Sequence, residues 1–91
     1  MKEFRVMYKD KELMLQPYGM RQAVLFEELK SRLYDGTNLI DNFYLFWISV
    51  GCAWSDAHGE GKVTFEEFSK WVDDNPQTFA DYMNWLADYF S

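Results

Sequence analysis

Apolar and polar residues alternate along the first part of the chain. Every second residue from Phe4 to Tyr8 is apolar, and the same spacing returns from Leu13 to Leu15. A period of two is typical of a β-strand with one covered face. The polar connection Lys9 to Lys11 joins the two runs, so the pattern predicts a β-hairpin over residues 3–16. Because an isolated hairpin is marginally stable in water, its apolar face must rest on the elements that follow.

After the hairpin the apolar spacing becomes that of helices. Leu25, Phe26, Leu29 and Leu33 recur at intervals of three and four residues, which predicts an amphipathic helix over about residues 19–34. A turn follows, and the next run is apolar on nearly every side. This second run predicts a buried central helix over about residues 39–55.

Two further helices begin at recognisable caps. Thr64 and Glu67 have the spacing of a capping box, and Asn75-Pro76 resembles a cap followed by proline at the first helical position. These caps predict helices over about residues 65–73 and 76–90. The last helix carries the most regular apolar stripe in the chain: Phe79, Tyr82, Met83, Leu86, Tyr89 and Phe90. The predicted fold class is α+β, mostly α, with one domain over residues 1–91: an N-terminal hairpin and a compact bundle of four helices.

Charge restricts the partners that we expect. The net charge is −6, and residues 46–91 carry eight acidic side chains against Lys62 and Lys70. Nucleic-acid affinity comes largely from Lys and Arg that neutralise phosphates, so we expect no nucleic-acid partner. The longest apolar run, residues 43–54, is shorter than the roughly 20 residues that span a bilayer, so we expect no membrane anchor.

The residue types that most often carry catalysis are scarce. The chain has one histidine, His58, and one cysteine, Cys52, and their spacing does not place them on one helix face. We therefore expect a protein that is not an enzyme and has no cofactor. A single cysteine and an N-terminus without a secretory signal predict a location in the cytoplasm.

One segment fits much of the twelve-residue calcium loop of EF-hand proteins. Counting from Asp56, Glu60 takes the fifth position, Thr64 the ninth and Glu67 the bidentate twelfth position. His58 stands at the third position, where a nitrogen donor suits calcium poorly. The same residues fit a second interpretation, in which the loop is a turn and Thr64 and Glu67 cap a helix.

The aromatic content suggests that the protein has an interaction surface. There are four Trp, six Tyr and eight Phe residues, and Trp and Tyr are the residues that most often anchor protein interfaces. On the last helix we predict a partner-binding surface formed by Tyr82, Trp85, Tyr89 and Phe90. The alternative is that large aromatic side chains build enough core from few residues in a small domain.

The order of elements and the segment from Val63 to Pro76 resemble the tail assembly chaperones of long-tailed bacteriophages and prophages. That resemblance implies a cytoplasmic protein that binds the tape measure protein, covers its apolar helices until tail tube protein replaces it, and self-associates into oligomers. The alternatives are a calcium-binding module that uses residues 56–67 and a small structural subunit of a larger assembly.

Overall fold

The computed structural model describes residues 3–59 and 61–90, and these form two strands followed by four helices. The predicted fold class, α+β and mostly α, is confirmed. Within the described residues, each helix is too short or too polar to cross a membrane. The elements are β1 (Phe4–Tyr8), β2 (Lys11–Leu15), α1 (Met20–Lys30), α2 (Leu39–His58), α3 (Phe65–Asp74) and α4 (Pro76–Phe90).

The hairpin closes through a tight turn. β1 and β2 pair antiparallel with Phe4 opposite Leu15 and Tyr8 opposite Lys11. Lys9 and Asp10 form a two-residue connection, and both have positive φ, 51° and 62°. Positive φ at both central residues is characteristic of the type I′ turn, whose twist matches that of the strands. The connection is therefore one residue shorter than the sequence predicted.

Helix α2 runs through the middle of the molecule. It contacts β2, α1 and α4, and its side chains are buried on several sides. The apolar face of the hairpin lies against the helices, and Phe46 of α2 stacks on Tyr82 of α4 with ring centroids 4.3 Å apart. The main core thus lies between the hairpin, α2, α3 and α4, whereas α1 packs on α2 through a smaller cluster around Phe26.

Helix α1 is shorter than the predicted helix over residues 19–34. It ends at Lys30, and Ser31 takes the left-handed conformation with φ 58°. The Ser31 N–H donates to the carbonyl of Glu27 at 2.7 Å, which closes the last turn. Leu33 therefore lies beyond the helix and is exposed.

Polar contacts hold the segment after α1 against the first turn of α2. The carboxylate of Asp41 is fully buried and accepts bonds from Arg32 and from the backbone N–H of Asp35. The Tyr34 hydroxyl donates to the side-chain oxygen of Asn42. Burial raises the pKa of Tyr34 to about 12, so this hydroxyl stays protonated.

The helices of the second half begin where the caps predict. Thr64 Oγ1 accepts the N–H of Glu67 at 3.1 Å, and Pro76 is the first residue of α4. Helix α2 is longer than the predicted 39–55, because it continues to His58 and ends at Gly59, whose φ is 74°. Residues 56–58, which we expected to be a loop, are helical.

Candidate functional site

The predicted calcium loop begins within a helix. Asp56 lies in the last turn of α2, where both its carboxylate oxygens accept bonds from Nη1 of Arg21 at 3.0 Å. Glu60 falls outside the described residues. The carboxylate at the first loop position therefore already pairs with a cation from α1.

The other two predicted calcium ligands form a helix cap. Thr64 caps α3, its hydroxyl donates to the Glu67 carboxylate at 3.2 Å, and Lys9 of the hairpin turn pairs with the same carboxylate. Hydrogen bonding and charge from Lys9 lower the pKa of Glu67. In residues 3–59 and 61–90 no group of three or more His, Cys, Asp or Glu side chains is placed to hold a metal ion. The observed contacts of Thr64 and Glu67 are those of the capping interpretation.

Cys52 and His58 occupy different surroundings. Cys52 is buried beside Phe26 and Ile48, and burial raises the pKa of its thiol. His58 packs on Trp54 with ring centroids 4.4 Å apart. A protonated, buried thiol is a poor nucleophile, so these contacts suit a packing function for Cys52.

Two of the four predicted partner-binding residues lie in the core, which corrects the expectation that they form a surface. Tyr82 is 1% exposed and Trp85 9%. Phe4 of β1 stacks on Trp85 at 5.3 Å, and burial raises the pKa of Tyr82. The inner part of the α4 stripe is covered because the hairpin and α2 both pack on it.

The other two residues, Tyr89 and Phe90, are exposed at the end of α4. The Tyr89 hydroxyl donates to the backbone carbonyl of Tyr18 at 3.1 Å. Phe90 lines a depression of about 610 Å³ together with Tyr18 and Tyr34. This end of α4 therefore keeps an accessible aromatic surface.

A larger set of exposed apolar side chains lies on α1 and just beyond it. Gln22 and Phe26 are the buried residues of this helix. The exposed apolar side chains, 37–79% exposed, are Met20, Val24, Leu25, Leu29 and Leu33. Within α1, Met20 and Val24 are four residues apart, as are Leu25 and Leu29, so each pair lies side by side on the helix surface.

A groove between α1 and α2 continues this surface. Its volume is about 460 Å³. Its apolar lining consists of Leu25, Leu29, Trp47, Ile48, Gly51 and Cys52. Trp47 is held in place because its Nε1–H donates to the carbonyl of Val63 at 2.7 Å.

Gly51 leaves open space in the groove wall. A Cβ added at this position would meet no atom within 4 Å. A side chain at position 51 would therefore start in open space at the groove wall. The polar lining is Arg21, Glu28 and Ser55, and Arg21 is already neutralised by Asp56. Glu28 thus gives the groove a net negative rim.

This surface was not among the predicted binding surfaces. The spacing of Leu25, Leu29 and Leu33 predicted an amphipathic helix and nothing about what covers its apolar face. A periodic apolar face shows which side of a helix avoids water, but it does not show whether this chain or another covers that side.

Comparison of the chain with protein-family models, with curated proteins and with solved structures finds no match. The class that the geometry defines is a small α+β domain with an uncovered apolar groove between two helices.

Proposed function

We propose that this chain is a non-enzymatic protein-binding module that receives an apolar helix of a partner protein in the groove between α1 and α2. The observation that carries the proposal is the row of outward-facing leucines, Leu25 and Leu29, along an apolar groove. Binding an amphipathic helix in a hydrophobic groove is a recurrent mode of protein recognition, with anchors at intervals of three and four residues.

Charge indicates the chemistry of the partner helix. The chain has a net charge of −6, and Glu28 stands at the groove while Arg21 is paired with Asp56. An acidic surface attracts a basic partner and disfavours an acidic one. The proposed partner helix therefore carries Lys or Arg beside its apolar row.

The resemblance to tail assembly chaperones gives this partner a specific identity within the same proposal. The tape measure protein would supply the apolar helix, and tail tube protein would later replace the chaperone. Two observations support this version: the order of a hairpin and four helices, and an apolar groove between α1 and α2. The proposed location is the cytoplasm, where tail assembly takes place.

The test uses a synthetic basic helix, a Leu/Lys peptide of about 18 residues with its leucines on one face. Calorimetric titration of the full chain with this peptide should show binding. Gly51→Leu should weaken the affinity at least about tenfold, because the new side chain starts in open space at the groove wall and would compete with the peptide for the groove. Thermal unfolding of the variant checks that its fold is unchanged.

Two controls distinguish binding in the groove from nonspecific hydrophobic binding. Met14→Asp changes an exposed apolar residue on the outer face of the hairpin and should leave the affinity unchanged. A Leu/Glu peptide of the same length should bind more weakly than the Leu/Lys peptide. Equal affinity for wild type and a folded Gly51→Leu variant would exclude the groove as the binding site.

The tape measure assignment has its own test. Coexpressed tape measure protein should remain with the wild-type chain through purification and be lost with Gly51→Leu. If the Leu/Lys peptide binds in the groove but tape measure protein does not copurify, the groove proposal stands and the phage assignment fails.

A further inference from the structure

Four exposed residues of α1 form a strip whose charges can pair with those of the same strip in a second copy of the chain. They are Arg21, Val24, Leu25 and Glu28. Arg21 and Glu28 lie seven residues apart, two helical turns, and so point in nearly the same direction. Val24 and Leu25 lie midway between them, and both are exposed. The strip therefore carries the Arg21 guanidinium, which also pairs with Asp56, at one end, an apolar centre, and the Glu28 carboxylate at the other end.

Such a strip matches a second copy of itself only when the two helices run antiparallel. A two-fold axis midway between Val24 and Leu25 places Arg21 of each copy opposite Glu28 of the other. The same axis places Val24 against Val24 and Leu25 against Leu25 at the centre. In a parallel arrangement, Arg21 would instead face Arg21 and Glu28 would face Glu28, so charges of the same sign would oppose each other.

The ionic groups are available for these contacts. Arg21 bonds Asp56 through Nη1. The N–H groups on Nε and Nη2 of its guanidinium point in other directions and can donate to a second carboxylate. Within residues 3–59 and 61–90 the carboxylate of Glu28 has no hydrogen-bond or ion-pair partner. Arg21 can thus join Asp56 of its own chain and Glu28 of the second copy.

We propose that a second copy of this chain covers the α1 strip, and that the two copies form a closed, antiparallel α1–α1 dimer. A two-fold interface uses the same patch on both copies, as this pattern requires. Leu25 belongs both to the strip and to the groove, so self-association and binding of a partner helix exclude each other. The dimer does not depend on the proposed function, because it is assembled from this chain alone.

Sedimentation velocity over a series of protein concentrations tests the dimer through charge reversal. Wild type should sediment as two chains at high concentration, and raising the salt should weaken the association. Arg21→Glu and Glu28→Arg should each weaken the dimer at least about tenfold, because each reversal opposes like charges at two places.

Recombining the reversed charges gives the decisive result. An equimolar mixture of the Arg21→Glu and Glu28→Arg chains restores both opposite-charge pairs and should form a heterodimer. The double variant Arg21→Glu/Glu28→Arg should form a homodimer again. Asp56→Asn removes only the intrachain partner of Arg21 and should keep the dimer.

Circular dichroism and thermal unfolding establish that every variant is folded. Monomeric wild type at all concentrations, a dimer unchanged by either reversal, or folded variants that fail to recombine would each overturn the proposal. Peptide binding by a monomeric wild type would overturn the dimer and leave the proposed function standing.

Discussion

The guanidinium of Arg32 donates to both carboxylate oxygens of Asp41, at 2.6 and 2.5 Å, although Asp41 is fully buried and Arg32 is half exposed. Asp41 lies in the first turn of α2, where a negative charge also interacts favourably with the helix dipole. The pair joins the segment after α1 to the central helix, so its loss would release that segment from the core.

The Asp41 pair should make stability depend on acid pH. The hydrogen bond from Arg32 lowers the pKa of Asp41 in the folded state, whereas the pKa of an aspartate in the unfolded chain is about 3.9. The pair therefore stabilises the fold fully above that unfolded value, and this contribution is lost as the pH falls through the lower, folded pKa. We expect Asp41→Asn to destabilise the protein at neutral pH and to reduce the loss of stability on acidification.

Urea unfolding of wild type and Asp41→Asn over a series of pH values measures this effect. Asp73→Asn, at an exposed position in the last turn of α3, is the control for the removal of one carboxylate from the surface of the protein. Parallel curves for wild type and Asp41→Asn would show that the pair makes no contribution that depends on pH.

Trp85 and Phe90, both on α4, should respond differently to truncation. Trp85→Ala removes a buried ring that Phe4 stacks on, and should lower the free energy of unfolding by about 3 kcal/mol. Phe90→Ala removes an exposed ring and should cost less than about 1 kcal/mol. Chemical denaturation measures both values, and similar costs for the two variants would contradict the assignment of Trp85 to the core.

The hairpin turn should be stabilised by glycine. Asp10 has φ 62°, a conformation that glycine adopts without the steric cost of a Cβ. Asp10→Gly should therefore raise the free energy of unfolding by about 0.5–1 kcal/mol. Glu12→Gly in β2, where glycine weakens a strand, is the control and should lower it. A lower stability for Asp10→Gly would exclude a type I′ turn.

Calcium should not stabilise the protein. Asp56 and Glu67 are paired with Arg21 and Lys9, so calcium would have to displace a cation at each carboxylate. We expect the same melting temperature in millimolar calcium and in chelator. Because any ligand that binds only the native state raises its stability, an increase with calcium that Glu67→Gln abolishes would restore the EF-hand interpretation.

The sequence predicted elements well where local chemistry decides them. Thr64 and Pro76 fix the starts of α3 and α4 through their own backbone requirements. The end of α1 at Lys30 was not predictable in this way, because Ser31 takes a left-handed conformation without glycine. Continuing apolar spacing to Leu33 favoured a longer helix.

The candidate site was harder to predict than the fold. Tyr82 belongs to the most regular apolar stripe of the chain, and Trp85 lies beside that stripe. We predicted both at a partner-binding surface, yet the hairpin covers them. Which of two apolar helix faces is covered depends on contacts between distant parts of the chain. Leu25 and Leu29 stay exposed, whereas Phe26 on the same helix is buried against Ile48 and Cys52 of α2.

The contact between Phe4 and Trp85 joins β1 to α4, which lie far apart in the sequence, and this affects folding during synthesis. The hairpin leaves the ribosome before α4, the helix that covers Phe4, has been made. Contacts between distant residues form late because a long loop must close before they are made. A nascent chain that stops before α4 would therefore expose the apolar face of its hairpin, and such fragments are expected to aggregate or be degraded.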